Sequence, residues 1–428
     1  MKYKKYDFLG LGLLILIFLT PLSAFLYLGW LLAIIIILKR RVTMVCRNRN
    51  PNSLIHRTKI WLRADPLNLP HLTLLTAALI ATLTSRYHSE SVGGLLIFTT
   101  YIITYYLILN WLKEKNQIKL VLTTLTISAA VVSLLGLCLY LSRSNFIWSY
   151  PLLQLTVEAG RMTGTFSNPN FYATYLVLFL PLIVASGFIF SSAIRRLGIV
   201  ILSLLMTINL VLSGSRTAWL SLVVTLSIFL FLALSSYPKR KIKILILSLY
   251  LGVVVITFIS LIFLLQPSRV FSFFRLSQDT SLASRLRIWG ATLRIIRDHP
   301  WTGTGPGTFQ RVMPLYLPES PRDWHSHAHN LYLHLGGEMG LPGAILFIWF
   351  FITAFRQIRQ IYLSVQNPES RLLIIGGIAG LGGFFMHTIT EVLINNAQLG
   401  IMFWIMLAII FSIGKIAGRM NFSEPRGR

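Results

Sequence analysis

This chain is poor in charge, and above all in negative charge. Only 12% of its 428 residues are charged, and just 13 are Asp or Glu. A soluble domain carries about a quarter charged residues, so an ordinary soluble fold is excluded. Scarce carboxylates also argue against a metal centre, and no H-E-x-x-H spacing occurs. The two cysteines, Cys46 and Cys138, fall in a basic loop and in an apolar run, so no disulfide is expected. Alternating ten-residue strands are missing, which excludes a porin-like barrel. The first apolar run has no A-x-A site and leads straight into a second, so no cleavable signal is expected. Nucleic-acid motifs are missing as well, and the net charge of +26 therefore has another reading: basic residues mark cytoplasmic loops.

What the chain has is apolar runs of about 20 residues, each long enough to cross a bilayer as a helix. Backbone groups in lipid must bond within their own segment, so the fold class is all-α, a polytopic transmembrane bundle. Residues 8–38, interrupted by Pro21, read as a hairpin of two spans. Further spans are expected at 70–87, 92–112, 118–141, 171–192, 197–213, 216–235, 243–266, 341–357, 371–388 and 396–415, twelve in all. The chain then divides into spans one to nine over 1–266, with an outer loop at 142–170, a large extracytoplasmic loop at 267–340, and three spans with a cytoplasmic tail over 341–428. With both termini inside, 27 of the 39 basic residues are cytoplasmic, every lysine among them. The 12 outward ones are all arginine. Guanidinium is an always-charged fork matched to phosphate, so this asymmetry suits an anionic ligand at the outer leaflet; arginines that merely snorkel to headgroups are the plainer alternative.

Three constellations fall on the outer side. Ser213-Gly214-Ser215-Arg216-Thr217 is a very short turn that sets Arg216 at a helix mouth, where a cation needs a partner or a watery cavity. Residues 281–299 read as an amphipathic helix with Leu282, Leu286, Trp289, Leu293 and Ile296 as its packed face. Arg285 borders that stripe, whereas Arg287 and Arg294 fall on the solvated side. Gly303, Gly305 and Gly307 follow without a preceding strand, so they read as a tight turn and not a dinucleotide loop. The large loop closes with HSHAHNLYLHLGGEMGLPG, which holds His325, His327, His329 and His334, four of nine histidines. The alternating histidines could hold a metal, but a single histidine acting as general base is the stronger reading.

His329-Asn330, nine residues, then Gly340-Leu341-Pro342-Gly343 resembles the H-[NSQ]-x9-G-x-x-G pattern of the O-antigen ligase and polymerase superfamily. SGSRTAW at 213–219, SRLRIWGATLRIIRDHPWTGTGPGTF at 284–309 and GTFSNPN at 164–170 resemble its other motifs. The resemblance covers 160–345. The family's threonines after the last glycine are replaced by Ala344-Ile345, a departure from the ligase branch in particular.

The resemblance implies a GT-C-type glycosyltransferase in the plasma (inner) membrane. Its donor would be a glycan on undecaprenyl diphosphate. Its acceptor would be a lipid-A-core sugar, a growing glycan or a protein hydroxyl. His329 would be the catalytic base, and Arg216 and Arg285 would bind the diphosphate. Asn330, Arg161, Asn168, Asn170 and His327 would support them, with no metal, cofactor or nucleic acid. The rival class is an inorganic-carbon (bicarbonate) transporter-like membrane protein, which shares the N-P-N and HPW-G-G-P-G segments but lacks the His-Asn pair.

The charge pattern generates a topology test. Cysteines introduced at Ser320 and Ser423 should differ toward an impermeant thiol reagent in intact cells. The first should label and the second should not; the reverse pattern would overturn the topology.

Overall fold

The computed structural model describes residues 8–22, 65–142, 148–150, 153–155, 157–158, 160–190, 192–235, 256, 259–260, 263–264, 280–317 and 326–418. Twelve helices are labelled here. They are α1 (Phe8–Leu19), α2 (Asn68–Thr84), α3 (His88–Trp111), α4 (Lys115–Leu141), α5 (Pro169–Ser186), α6 (Ala193–Leu212), α7 (Arg216–Ser235), α8 (Thr280–Asp298), α9 (Phe309–Tyr316), α10 (Leu331–Ser364), α11 (Pro368–Thr388) and α12 (Ala397–Gly418). Eight of these, α3 to α7 and α10 to α12, are long and apolar enough to cross a membrane. Helix α2 and residues 10–19 are shorter apolar helices. This is a polytopic helical membrane protein. The expected count of twelve spans reaches into 23–38 and 243–266, which lie largely outside the described residues. The expected turn at Pro21 is present, since α1 stops at Leu19 and residues 20–22 turn.

Two small features depart from a purely helical reading. Trp148–Tyr150 (β1) pairs antiparallel with Leu153–Leu155 (β2), and Val157–Glu158 (β3) with Arg161–Met162 (β4). Strands of two or three residues are too short to leave a period-two signal in the sequence.

Asparagine starts three of the helices that frame the site. Asn168 caps α5, its side chain accepting from Asn170 N at 2.7 Å, with Pro169 at the first helical position. Asn330 caps α10 through Leu333 N at 3.0 Å, and Asn367 caps α11 through Ser370 N at 2.9 Å. Helix α11 lies deep among its neighbours because glycine lets it. A Cβ at Gly380 would strike the Leu178 carbonyl of α5, and one at Gly383 the Thr225 hydroxyl of α7. Close backbone approach at small residues is how helices gain packing energy where no hydrophobic drive exists between them.

Helix α10 runs 34 residues, longer than a bilayer core requires, and Gly340 (φ 69°) breaks it. The break falls at the end of the expected large loop. It interlocks with the glycine turn after α8. Gly305 N donates to Glu338 O at 2.8 Å, Thr304 N to Gly337 O at 3.0 Å, and Leu341 N to Pro300 O at 2.8 Å. The Glu338 carboxylate accepts from Phe309 N at 3.0 Å and so caps α9. A side chain at Gly303 would collide with the Glu338 backbone. The glycines are thus a tight turn, as their spacing predicts.

The buried face of α8 differs from the expected one. Ile288, Ala291, Thr292 and Ile295 are buried, whereas Leu286 and Leu293 are each 55% exposed. The helix has apolar residues on more than one side, and the sequence stripe followed the larger side chains. The smaller set wins because it lies against α10, where Gly336 and Gly337 leave room only for a close approach by Ile296, Thr292 and Ile295.

Candidate functional site

The site forms where the starts of α5 and α10, the first turns of α8 and the end of α11 meet, and its centre is a residue that the motifs do not contain. Glu391, in the short connection between α11 and α12, is fully buried. Its Oε1 accepts from Asn170 Nδ2 at 2.7 Å and from Arg285 at 3.1 Å. Its Oε2 lies 3.1 Å from His329 Nδ1 and 3.9 Å from His327 Nε2. Partners 62, 106 and 221 residues away in the chain converge on one carboxylate.

Each partner is held from behind. Arg161 donates to Asn170 Oδ1 at 3.0 Å and, through Nε, to the Ser213 carbonyl at 2.9 Å. Arg161 therefore ties the start of α5 to the turn that precedes Arg216. Asn170 reaches Glu391 from the first turn of α5, the turn that Asn168 caps. Asn330 Nδ2 donates to Ile389 O at 3.1 Å, fastening the start of α10 to the Glu391 segment. Trp289 Nε1 donates to Ala328 O at 3.0 Å, which fixes the histidine loop to α8.

His329 sits at φ 48°, the one positive-φ residue other than glycine among those described. Such backbone costs of order 1 kcal/mol or more and persists only where the surroundings enforce it. It turns the His329 ring toward Glu391. The His329 backbone N–H points at His327 Nδ1, 3.3 Å away, and the two rings meet edge to face with centroids 4.2 Å apart.

These contacts fix proton positions. An ionised carboxylate only accepts, so the proton between His329 and Glu391 belongs to Nδ1. In the neutral ring the lone pair then resides on Nε2. His327 Nδ1 accepts a backbone N–H, so its own proton is on Nε2, which also faces Glu391. Burial opposes ionisation of Glu391. The His329 hydrogen bond, with the charges of His329, His327 and Arg285, outweighs it and holds the carboxyl well below the usual carboxylate range.

The expected site residues are therefore mostly gathered. Arg285, His327, His329, Asn170 and Arg161 form one connected network. Asn168 and Asn330 serve as helix caps, Asn330 with a second bond to Ile389. Arg216 is partly buried at the start of α7, next to the Ser213 turn that Arg161 grips. Arg287 and Arg294 are exposed, the latter donating to Tyr316 O at 2.7 Å. His325 lies outside the described residues. Carboxylates are scarce near the histidines only along the chain. In space Glu391 supplies one, and ligand atoms of His327, His329 and Glu391 all lie within 4.8 Å of one another. The missed signal was Glu391 itself, a lone acid between two apolar runs, which is a functional position by default.

Residues 201–348 match the O-antigen ligase family. That match contains α7 with Arg216, α8 with Arg285, and the histidine loop, and it bears out the resemblance that the motifs carry. The chain is also 23% identical over 238 residues to the ComP-specific O-oligosaccharyltransferase of Acinetobacter baylyi. That alignment covers 54% of this chain and 40% of the relative, so the chain spans well under half of the curated relative it matches. The O-antigen ligase-type region ends inside α10, so Glu391 falls beyond it.

The Glu391 network has a pH signature. A carboxylate whose folded-state pKa is depressed stabilises the fold at every pH above its unfolded value, about 4.3, and loses that contribution only as pH falls through the folded value. Glu391→Gln leaves Arg285 without its counter-charge and should cost about 3 kcal/mol at neutral pH. Thermal unfolding of both proteins in detergent should show a gap that is constant from pH 8 to about pH 5 and narrows only below about pH 4. A gap that closes near neutrality would mean that Glu391 is not held ionised.

Proposed function

We propose that the protein is a membrane glycosyltransferase of O-antigen ligase type, transferring a glycan from undecaprenyl diphosphate to an acceptor hydroxyl at the outer face of the plasma membrane. The observation that carries this reading is the His329–Glu391–Arg285 cluster, a tautomer-fixed imidazole beside a guanidinium. His329 Nε2 takes the proton of the acceptor hydroxyl as its oxygen attacks the anomeric carbon. The bond from that carbon to the phosphate oxygen breaks, and the diphosphate leaves with the electron pair. Arg285 and Arg216 neutralise the charge that gathers on it. Arg285 Nε is buried without a hydrogen-bond partner among the described residues, so this guanidinium has an N–H to spare for an anion. Glu391 touches neither substrate in this scheme. It holds the ring and the guanidinium in place and stabilises the imidazolium that forms.

No step needs a metal, because diphosphate is already a good leaving group and positioning with charge neutralisation can carry most of the barrier reduction. The acceptor class divides into a lipid-A-core sugar, a growing glycan and a protein hydroxyl. The name of the Acinetobacter relative favours the last. The transporter reading expects buried charge pairs at mid-membrane. Among the described residues, the two buried carboxylates ion-paired between helices instead lie at helix ends: Glu391 between α11 and α12, and Asp65 ahead of α2, 3.4 Å from Lys415 near the end of α12.

One assay tests these roles: glycan transfer from a purified lipid-linked donor with EDTA present. His329→Ala should lose on the order of a hundredfold or more in turnover and still bind donor. Arg216→Ala and Arg285→Ala should abolish transfer, with Lys rescuing poorly because a point charge cannot replace a bidentate fork. Arg287→Ala and Arg294→Ala should be mild. Wild-type turnover by His329→Ala would remove the base role, and equal losses at all four arginines would reduce the clamp to bulk charge.

A further inference from the structure

We propose that His327, His329 and Glu391 form a zinc-type divalent-cation site, and that a metal bound there switches the enzyme off. Two imidazoles and one carboxylate are a zinc donor set of the kind that keeps a fourth position for water. In tetrahedral zinc, with ligands at about 2.0–2.1 Å, neighbouring donor atoms lie about 3.3 Å apart. His329 Nδ1 and Glu391 Oε2 already stand at 3.1 Å, and His327 Nε2 needs to approach Oε2 by roughly half an ångström from 3.9 Å. The two rings are adjacent, and all three ligand atoms lie within 4.8 Å of one another.

The surroundings orient the carboxylate for this. Asn170 and Arg285 both bind Oε1, which turns Oε2 toward the histidines. Outer contacts of that kind fix a metal-binding carboxylate and set which oxygen it offers. Arg285 also opposes the cation, so the site would be weaker than a structural zinc centre. On the protein side, the two imidazole N–H groups that face Oε2 give way to the metal. The His329 N–H to His327 Nδ1 contact is long, at 3.3 Å, and breaks when His327 binds through Nε2.

Inhibition follows from the proton count. A neutral imidazole that binds metal through Nδ1 carries its one proton on Nε2. Zinc would therefore move the His329 proton from Nδ1 to Nε2, with no net gain or loss. The nitrogen that takes the acceptor's proton would then already hold one. Binding itself depends only on the geometry, whereas the inhibitory half rests on the reading of His329 as base.

The test separates the two. The purified full-length chain, stripped with EDTA, is titrated with Zn²⁺ against a chromophoric chelator. One equivalent should bind to the wild type and to His299→Ala. Affinity should drop at least tenfold in His327→Ala and again in Glu391→Gln, with unfolding curves showing that each variant is folded. In the transfer assay the same Zn²⁺ should silence the wild type, and EDTA should restore it. No stoichiometric zinc on the wild type, or unchanged zinc affinity in both folded variants, overturns the site. Zinc bound stoichiometrically with turnover unaffected supports the site and contradicts His329 as base.

Discussion

The arrangement of the candidate site depends on one buried carboxylate remaining ionised. Glu391 has no exposure to solvent, and an isolated charge there would be costly. The cost is met by two hydrogen bonds to Oε1, from the Asn170 amide and the Arg285 guanidinium, and by two imidazole N–H groups facing Oε2. These partners come from α5, α8 and the loop before α10, and Glu391 itself from the connection after α11. The carboxylate is therefore both an electrostatic requirement and the point at which four segments are fixed to one another. Remove it, and the tautomer of His329 and the position of Arg285 lose their common anchor.

The structure around the site delivers those partners. Asparagine caps set where α5 and α10 begin, so Asn170 falls in the first turn of one and His329 just ahead of the other. The interlock between the 303–307 turn and the break at Gly340 fixes α8 against α10. Trp289 then holds the histidine loop on α8, and Arg285 on the same helix reaches Glu391. The glycines matter here because backbone meets backbone at both positive-φ sites, and no side chain fits. Rigid support of this kind is what catalytic geometry needs, since small misplacements cost large factors in rate.

Hydropathy made most of the described spans legible, because the bilayer sets both length and composition, although α10 begins at Leu331, well ahead of the expected 341. His329 and the arginines were legible from motif and from helical phase: Arg285 and its solvated neighbours Arg287 and Arg294 fall as the 100° arithmetic places them. The packed face of α8 was not. Leu286 and Leu293 are exposed, while Ala291 and Thr292, weak signals in any hydrophobic pattern, are buried alongside Ile288 and Ile295. Glu391 was hidden for a different reason. It lies 62 residues past His329 and beyond the O-antigen ligase match, and sequence spacing says nothing of which ring faces which carboxylate. The same gap hid the metal-type donor set, since its third ligand comes from another loop.

The central claim is that Glu391 holds His329 in the tautomer that leaves its lone pair on Nε2. Nitrogen NMR of histidine-labelled protein measures this directly, with the His329 signals assigned by their loss in His329→Gln. At a pH where the ring is neutral, the wild type should show a protonated Nδ1 and a bare Nε2, and Glu391→Gln should lose that preference. A wild-type ring with its proton on Nε2, or one whose tautomer is indifferent to Glu391, would show that Glu391 does not set the tautomer.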